Sequence, residues 1–207
     1  MKYNLFALFL IATSLSLPSS VFCQNFEGSL SYRSYSVLES GDTIASSTMN
    51  YWIKEHLFKY AGYVVKAPLL DLGTLYADAN KMIRTNINHS GKVDKIPISQ
   101  EPNLLTLEIK AIDEYEDILD YKCQLWKLID IRTDSTISTI WVTKEIRNSN
   151  YDQFVKLFNY QSTLFPCTGI NGWILKREDY RREGEIFVSE ATEVKEVELN
   201  IAEMVAY

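Results

Sequence analysis

The sequence predicts a mainly β fold, an antiparallel sheet with one amphipathic helix inserted late in the chain. Three observations predict it. Beyond the first two dozen residues the chain is rich in Tyr, Thr, Ile, Val and Phe, which suit a pleated, half-buried surface. These residues come in short runs punctuated by turn residues, as hairpin-linked strands do. One stretch, at residues 151–158, instead repeats its apolar residues at helical spacing.

The first strand runs from Phe26 to Val37, with Leu30 and Tyr32 on one face and Ser29, Ser31, Arg33 and Tyr35 on the other. Ser40-Gly41-Asp42 turns the chain into a second strand, Ser47 to Ile53, which aligns Met49, Tyr51 and Ile53. Lys54-Glu55-His56 is a polar turn, and Leu57 to Tyr63 returns. Gly73 to Tyr76 and Lys81 to Ile87 form a hairpin about Asp78-Ala79-Asn80, and Ser90-Gly91 ends it. Residues 92–103 are irregular. Pro97 and Pro102 suit a segment that crosses an edge of the sheet.

Leu104 to Ile112 resumes a strand, and the acidic run Asp113 to Asp120 reads as a turn or a short helical turn. Tyr121 to Ile131 and Thr136 to Ile146 pair about Thr133-Asp134-Ser135. Asn148 to Asn150 can cap the helix, Asp152 favours its positive end, and Tyr151, Phe154, Leu157 and Phe158 make its apolar stripe. The stripe predicts an end near Tyr160 to Gln161. Gly172 to Tyr180 and Glu185 to Val197 add two more strands, and Glu198 to Met204 a helical turn.

The N-terminus reads as a secretory leader. Lys2 supplies a positive charge, Leu5 to Thr13 is apolar throughout, and Ser14, Ser16, Pro18, Ser19 and Ser20 break the helix. Val21 and Cys23 are small enough for the −3 and −1 sites, so cleavage is placed between Cys23 and Gln24. An uncleaved anchor and a lipid-modified Cys23 remain open. Phe22 departs from the small residue that lipidation prefers. The expected organisation is a signal peptide at 1–23 and one domain at 24–207. No later stretch is long and apolar enough for a transmembrane helix. The location is then periplasmic, outer-membrane-associated or secreted.

Without Lys2 the expected mature chain holds 20 Lys and Arg against 27 Asp and Glu. This negative balance, with no basic cluster, argues against nucleic acid as a partner. Two cysteines remain, Cys123 and Cys167. An oxidising compartment suggests a disulfide, which would close a loop of about 45 residues and contribute roughly 4 kcal/mol. Two buried free thiols are the other reading.

Catalytic chemistry finds little to stand on. His56 and His89 both fall in turns, away from any nucleophile-elbow pattern. The cluster Asp113, Glu114, Glu116, Asp117 and Asp120 lacks the spacing and glycine of a helix-loop-helix calcium loop and reads as a solvated acidic turn. No glycine-rich phosphate loop and no zinc-ligand spacing occur, so neither cofactor nor metal is expected. Asn88-His89-Ser90 matches a glycosylation acceptor, a pattern that arises often by chance. The aromatics carry more. Trp52, Trp126, Trp141 and Trp173 all sit on predicted strands, where they can line a cavity for an apolar ligand or simply fill a core.

Three segments carry a family resemblance: Phe26-Glu27-Gly28-Ser29-Leu30-Ser31-Tyr32 after the leader, Ile118-Leu119-Asp120-Tyr121-Lys122-Cys123 leading to Thr139-Ile140-Trp141-Val142-Thr143, and Gly172-Trp173-Ile174-Leu175-Lys176. Together they resemble small secreted bacterial domains of unknown function, similar to the LolA/LppX-like lipoprotein-carrier half-barrels. Asp120 departs from the glycine such families carry before the aromatic. The resemblance implies a strongly curved antiparallel sheet, a half-barrel, wrapped over one or two helices, with a cavity for acyl chains and no catalytic residue. Trp52, Trp126, Trp141, Phe154, Leu157 and Phe158 are then the cavity candidates. The expected role is a non-enzymatic module that binds a lipid or another apolar ligand. The alternative is a structural or interaction protein with a filled core that meets another envelope protein.

Overall fold

A computed structural model describes residues 25–65, 70–96, 107–158, 164–166, 168–170, 172–181 and 184–206. The expected leader and its cleavage site before Gln24 lie outside the described residues. So do Pro97 and Pro102 and the expected helix end at Tyr160 to Gln161, while the start of the segment expected to be irregular, Val93–Ile96, is instead a strand paired with Arg84 to Ile87.

Eleven strands, one α-helix and, within the expected helical turn at Glu198 to Met204, a short 3-10 helix at Ile201–Glu203 are present among the described residues. The strands and the α-helix are β1 (Gly28–Val37), β2 (Thr43–Lys54), β3 (Leu57–Val64), β4 (Leu70–Asp78), β5 (Ile83–Ile87), β6 (Val93–Ile96), β7 (Leu107–Ile118), β8 (Tyr121–Asp130), β9 (Ser135–Thr143), α1 (Tyr151–Leu157), β10 (Trp173–Tyr180) and β11 (Ile186–Glu196). All eleven strands belong to one sheet, in the order β6-β5-β4-β3-β2-β1-β11-β10-β9-β8-β7, and every adjacent pair is antiparallel. The chain starts at the centre and meanders out to β6. It resumes at the opposite edge as β7 and meanders back until β11 pairs with β1.

This corrects the expected half-barrel. The sheet is neither closed nor strongly curled, its free edges are β6 and β7, and the described residues hold one α-helix of seven residues. The physical reason lies in what sequence patterns report. Alternation and turn spacing are the same in an open meander and a curled one, whereas curl depends on the stagger and tilt of strands across the sheet.

The acidic run at Asp113 to Asp120 is also corrected. It is mostly the end of β7, and the turn is only Leu119 and Asp120, at φ 51° and 67°. Two successive left-handed residues make the tight hairpin that matches strand twist. Asp120 therefore occupies a conformation that glycine adopts without strain. The charged residues fit a strand because β7 is an edge, where charge deters pairing with other chains.

Pairing register assigns each residue to a face. Phe58 lies opposite Ile53 on one side and Ala77 on the other, and these share a face with Leu30 and Tyr32. On this helix-side face α1 packs its buried Tyr151, Phe154, Val155 and Leu157. Phe165 closes the layer, with its ring 5.3 Å from Phe58, 5.4 Å from Phe154 and 5.5 Å from Trp173. Aromatic rings at such spacings fill the space beneath the helix. The Tyr32 hydroxyl, buried here, donates to the Ile174 carbonyl at 2.6 Å and accepts from Trp173 Nε1 at 3.0 Å. Beyond β11 the chain folds back along the sheet. Glu27 Oε1 accepts from Lys54 Nζ at 2.7 Å and from the Leu199 N–H at 2.6 Å.

Candidate functional site

The six aromatic and apolar candidates fall into three places. Phe154, Leu157 and Phe158 lie in the packed core, Phe158 being 8 % exposed and the other two fully buried. Trp126 lies on the helix-side face, since it pairs with Ile140, which pairs in turn with Arg177 and so with Ser189 and Ser34. Trp52 and Trp141 lie on the opposite face, each one residue out of phase with a core position. Lysines cover both of them. Lys59 Nζ stands 5.0 Å from the Trp52 ring centre and 5.6 Å from that of Tyr76, and Lys176 Nζ stands 4.3 Å from that of Trp141. Lys176 also pairs with Glu178 at 3.2 Å. Around these two rings that face is cation-capped.

Among the described residues the helix-side face is wider than α1 covers, and apolar patches on it lie beyond the helix. Eleven strands at about 4.8 Å spacing span roughly 50 Å, whereas a seven-residue helix is only about 10 Å long. Toward the far ends of the strands the same face carries Ile44 at 55 % exposure, Leu72 at 39 %, and the part-exposed Met49, Ile109, Trp126 and Phe187. Leu72 reaches over Gly62 and Ile44 lies opposite Ser36, which fixes both on this side.

Among the described residues, four buried side-chain polar atoms have no hydrogen-bond partner: Ser46 Oγ, Arg84 Nε, Trp126 Nε1 and Ser138 Oγ. Register puts three of their residues on the helix-side face, Arg84 opposite Ala77, Trp126 opposite Ile140, and Ser138 opposite Leu128. A buried donor left unpaired costs about 1–3 kcal/mol, so folded proteins keep few of them. Burial also lowers the pKa of Arg84, and no carboxylate offsets it. Sequence reasoning misses Arg84 because the alternation Ile83, Thr85, Ile87 suggests that the isoleucines face inward. Ile83 is in fact 44 % exposed.

Cys123 is a free, buried thiol whose Sγ contacts the Tyr121 carbonyl at 3.5 Å, and burial pushes its pKa up to about 12. Its expected partner Cys167 lies outside the described residues. His56 stands 3.8 Å from Glu55 and 3.9 Å from Asp78, with two carboxylates and no nucleophile in that set. Asn88 spends its carbonyl oxygen inside its own turn, accepting from the Ser90 N–H and hydroxyl and from the Lys92 N–H. Among the described residues no group of three His, Cys, Asp or Glu side chains is placed to hold a metal ion, and no helix is long and apolar enough to cross a membrane. On the lysine face a cleft of about 180 Å3 opens between Leu57, Tyr76, Ile83 and the C-terminal Met204.

No protein-family model matches the chain, and no curated protein does. Solved structures show weak, broad similarity to LolA-superfamily and DUF1329 folds. A LolA superfamily protein from Nitrosomonas europaea is 10 % identical over 88 % of this chain and 91 % of its own, with a TM-score of 0.38. A DUF1329 family protein from Desulfovibrio piger is 10 % identical over 88 % of this chain and 91 % of its own, with a TM-score of 0.34. The structure of PNGF-II is 13 % identical over 87 % of this chain but 30 % of its own, with a TM-score of 0.45.

Proposed function

We propose that this chain is an exported binding module that holds a lipid or another apolar ligand against the helix-side face of its sheet, without covalent chemistry. The observation that carries the reading is that, among the described residues, the helix-side face of an eleven-stranded sheet extends well beyond the seven-residue helix and leaves Ile44 and Leu72 exposed. Ligand binding there removes apolar surface from water, worth about 25 cal/mol per Å2. The leader-like residues 1–23 support an envelope or secreted location. The closely packed rings of Phe58, Phe154, Phe158 and Phe165 favour a second reading, an envelope interaction protein whose interior is already full.

Native mass spectrometry of the protein purified from a bacterial envelope tests the choice. The binding module predicts a mass above that of the polypeptide, with lipid released into organic solvent on denaturation. A bare polypeptide mass, together with no uptake of lipid from vesicles by the delipidated protein, overturns it in favour of the interaction protein.

A further inference from the structure

Arg84 puts a cation with no carboxylate partner among the described residues on the helix-side face. It stands on β5 between Ala77 of β4 and Ile96 of β6, at the margin of the aromatic core. Its guanidinium carbon lies 5.7 Å from the centre of the Phe158 ring. Its Nε is buried and lacks an acceptor. The residue is half-buried, and a buried N–H in a folded protein normally has an acceptor. The Phe158 ring partly meets that need through the flat face of the cation. A ring face leaves the in-plane N–H donors unused, and those donors form the fork that matches the two oxygens of a carboxylate or phosphate. The fork stands in the row of Ala77 and Phe58, and the same face continues along β4 to the exposed Leu72.

We propose that Arg84 binds the anionic head group, carboxylate or phosphate ester, of an amphiphile whose alkyl chain lies along the helix-side face. This rests on the apolar-ligand reading and names the ligand class within it. The test uses the delipidated protein loaded with Nile red, a neutral probe, which is displaced by palmitate, hexadecyl phosphate or hexadecanol. The two anions displace the probe at about tenfold lower concentration than the alcohol, equivalent to about 1.4 kcal/mol. Arg84→Gln raises both anions to the alcohol's level and leaves the alcohol unchanged. Arg84→Lys keeps the charge but loses the fork, and cuts the preference about threefold; it decides the matter alone if the Gln variant does not fold.

Equal displacement by all three chains in the wild type, or an intact preference in either variant, overturns the head-group site and leaves the apolar-ligand reading standing. Failure of Nile red and all three chains to bind overturns both. Displacement by inorganic phosphate at the same concentrations as hexadecyl phosphate overturns the amphiphile in favour of a free anion.

Discussion

At the scale of single residues the described core turns on Tyr32. Its hydroxyl joins β1 to β10 by donating to the Ile174 carbonyl and accepting from the Trp173 indole N–H. All of these groups are buried, and burial pushes the Tyr32 pKa well above its ordinary value. Tyr32→Phe leaves the indole N–H and the carbonyl without this partner, at a cost of about 1–3 kcal/mol. Tyr51→Phe costs less, because the Tyr51 hydroxyl meets the thioether sulfur of Met49, a weak acceptor. Urea unfolding reads the difference as a lower midpoint for Tyr32→Phe at unchanged slope. Equal midpoints for the two variants would show that the Tyr32 bridge contributes nothing special. The alternation of β1 already placed Tyr32 inside, with Leu30. Its partners were not legible, since they lie 141 and 142 residues along the chain and no local pattern names them. Arg84 was hidden for a different reason, because its strand presents isoleucines to solvent and the arginine to the core side.

At the scale of elements, strands were legible wherever both faces differ in polarity, and less so where an edge relaxes that demand. The turn at 40–42 and the helix start at Tyr151 are where the sequence places them, although Asn150 makes no side-chain cap; the turn expected at 133–135 lies at 131–134, and Ser135 already belongs to β9. β7 did not read as one strand, because an edge strand tolerates charge on both faces and a bulge between Ala111 and Tyr115 breaks its alternation. The C-terminal segment is tied to the sheet by a polar clasp as well as by the buried Met204. Glu27 bridges Lys54 and the Leu199 N–H, and Lys54 also donates to the Leu199 carbonyl at 2.8 Å. The Lys54 hydrogen bond, and after it that of Leu199, hold the Glu27 carboxyl below its ordinary value of 4.5. A lowered folded-state pKa contributes stability that is complete above about pH 4.5 and lost as pH falls through the lowered value. Screening limits the contribution of this partly exposed pair to about 0.5–1 kcal/mol. Hydrogen-exchange protection factors over residues 198–205 therefore fall below pH 4.5 in the wild type. In Glu27→Gln they are low already and do not change in that window. Unchanged protection in the variant would show that other contacts hold the segment.

At the scale of the whole molecule the path of the chain separates two faces with different chemistry. Because β1 and β11 pair at the centre, the two meanders extend one continuous surface in opposite directions. One side gathers the helix, the aromatic core and the unpaired donors of Arg84, Trp126 and Ser138; the other carries lysines over Trp52 and Trp141. Alternation was readable from the sequence, which yielded ten of the eleven strands and missed β6 in a segment read as irregular, but which tryptophans share a side was not, because bulges such as those at Ser34/Tyr35 and Ile174/Lys176 shift the phase between strands. The tryptophans can in turn report where a ligand lies. A fatty acid carrying a nitroxide spin label on its chain quenches indole fluorescence only at short range. If the ligand lies on the helix-side face near β8, the label quenches Trp126 most and Trp126→Phe removes most of the ligand-dependent quenching; a chain held at Arg84, eight strand spacings or roughly 38 Å away, leaves Trp126 unquenched. Trp52→Phe and Trp141→Phe leave it intact, since their rings lie across the sheet under lysine ammonium groups. The reverse pattern, with quenching lost in Trp52→Phe or Trp141→Phe and kept in Trp126→Phe, would move the ligand to the lysine face. There the chemistry favours cation-lined contacts over burial of an alkyl chain, and both the apolar-ligand reading and the Arg84 head-group site would fall together.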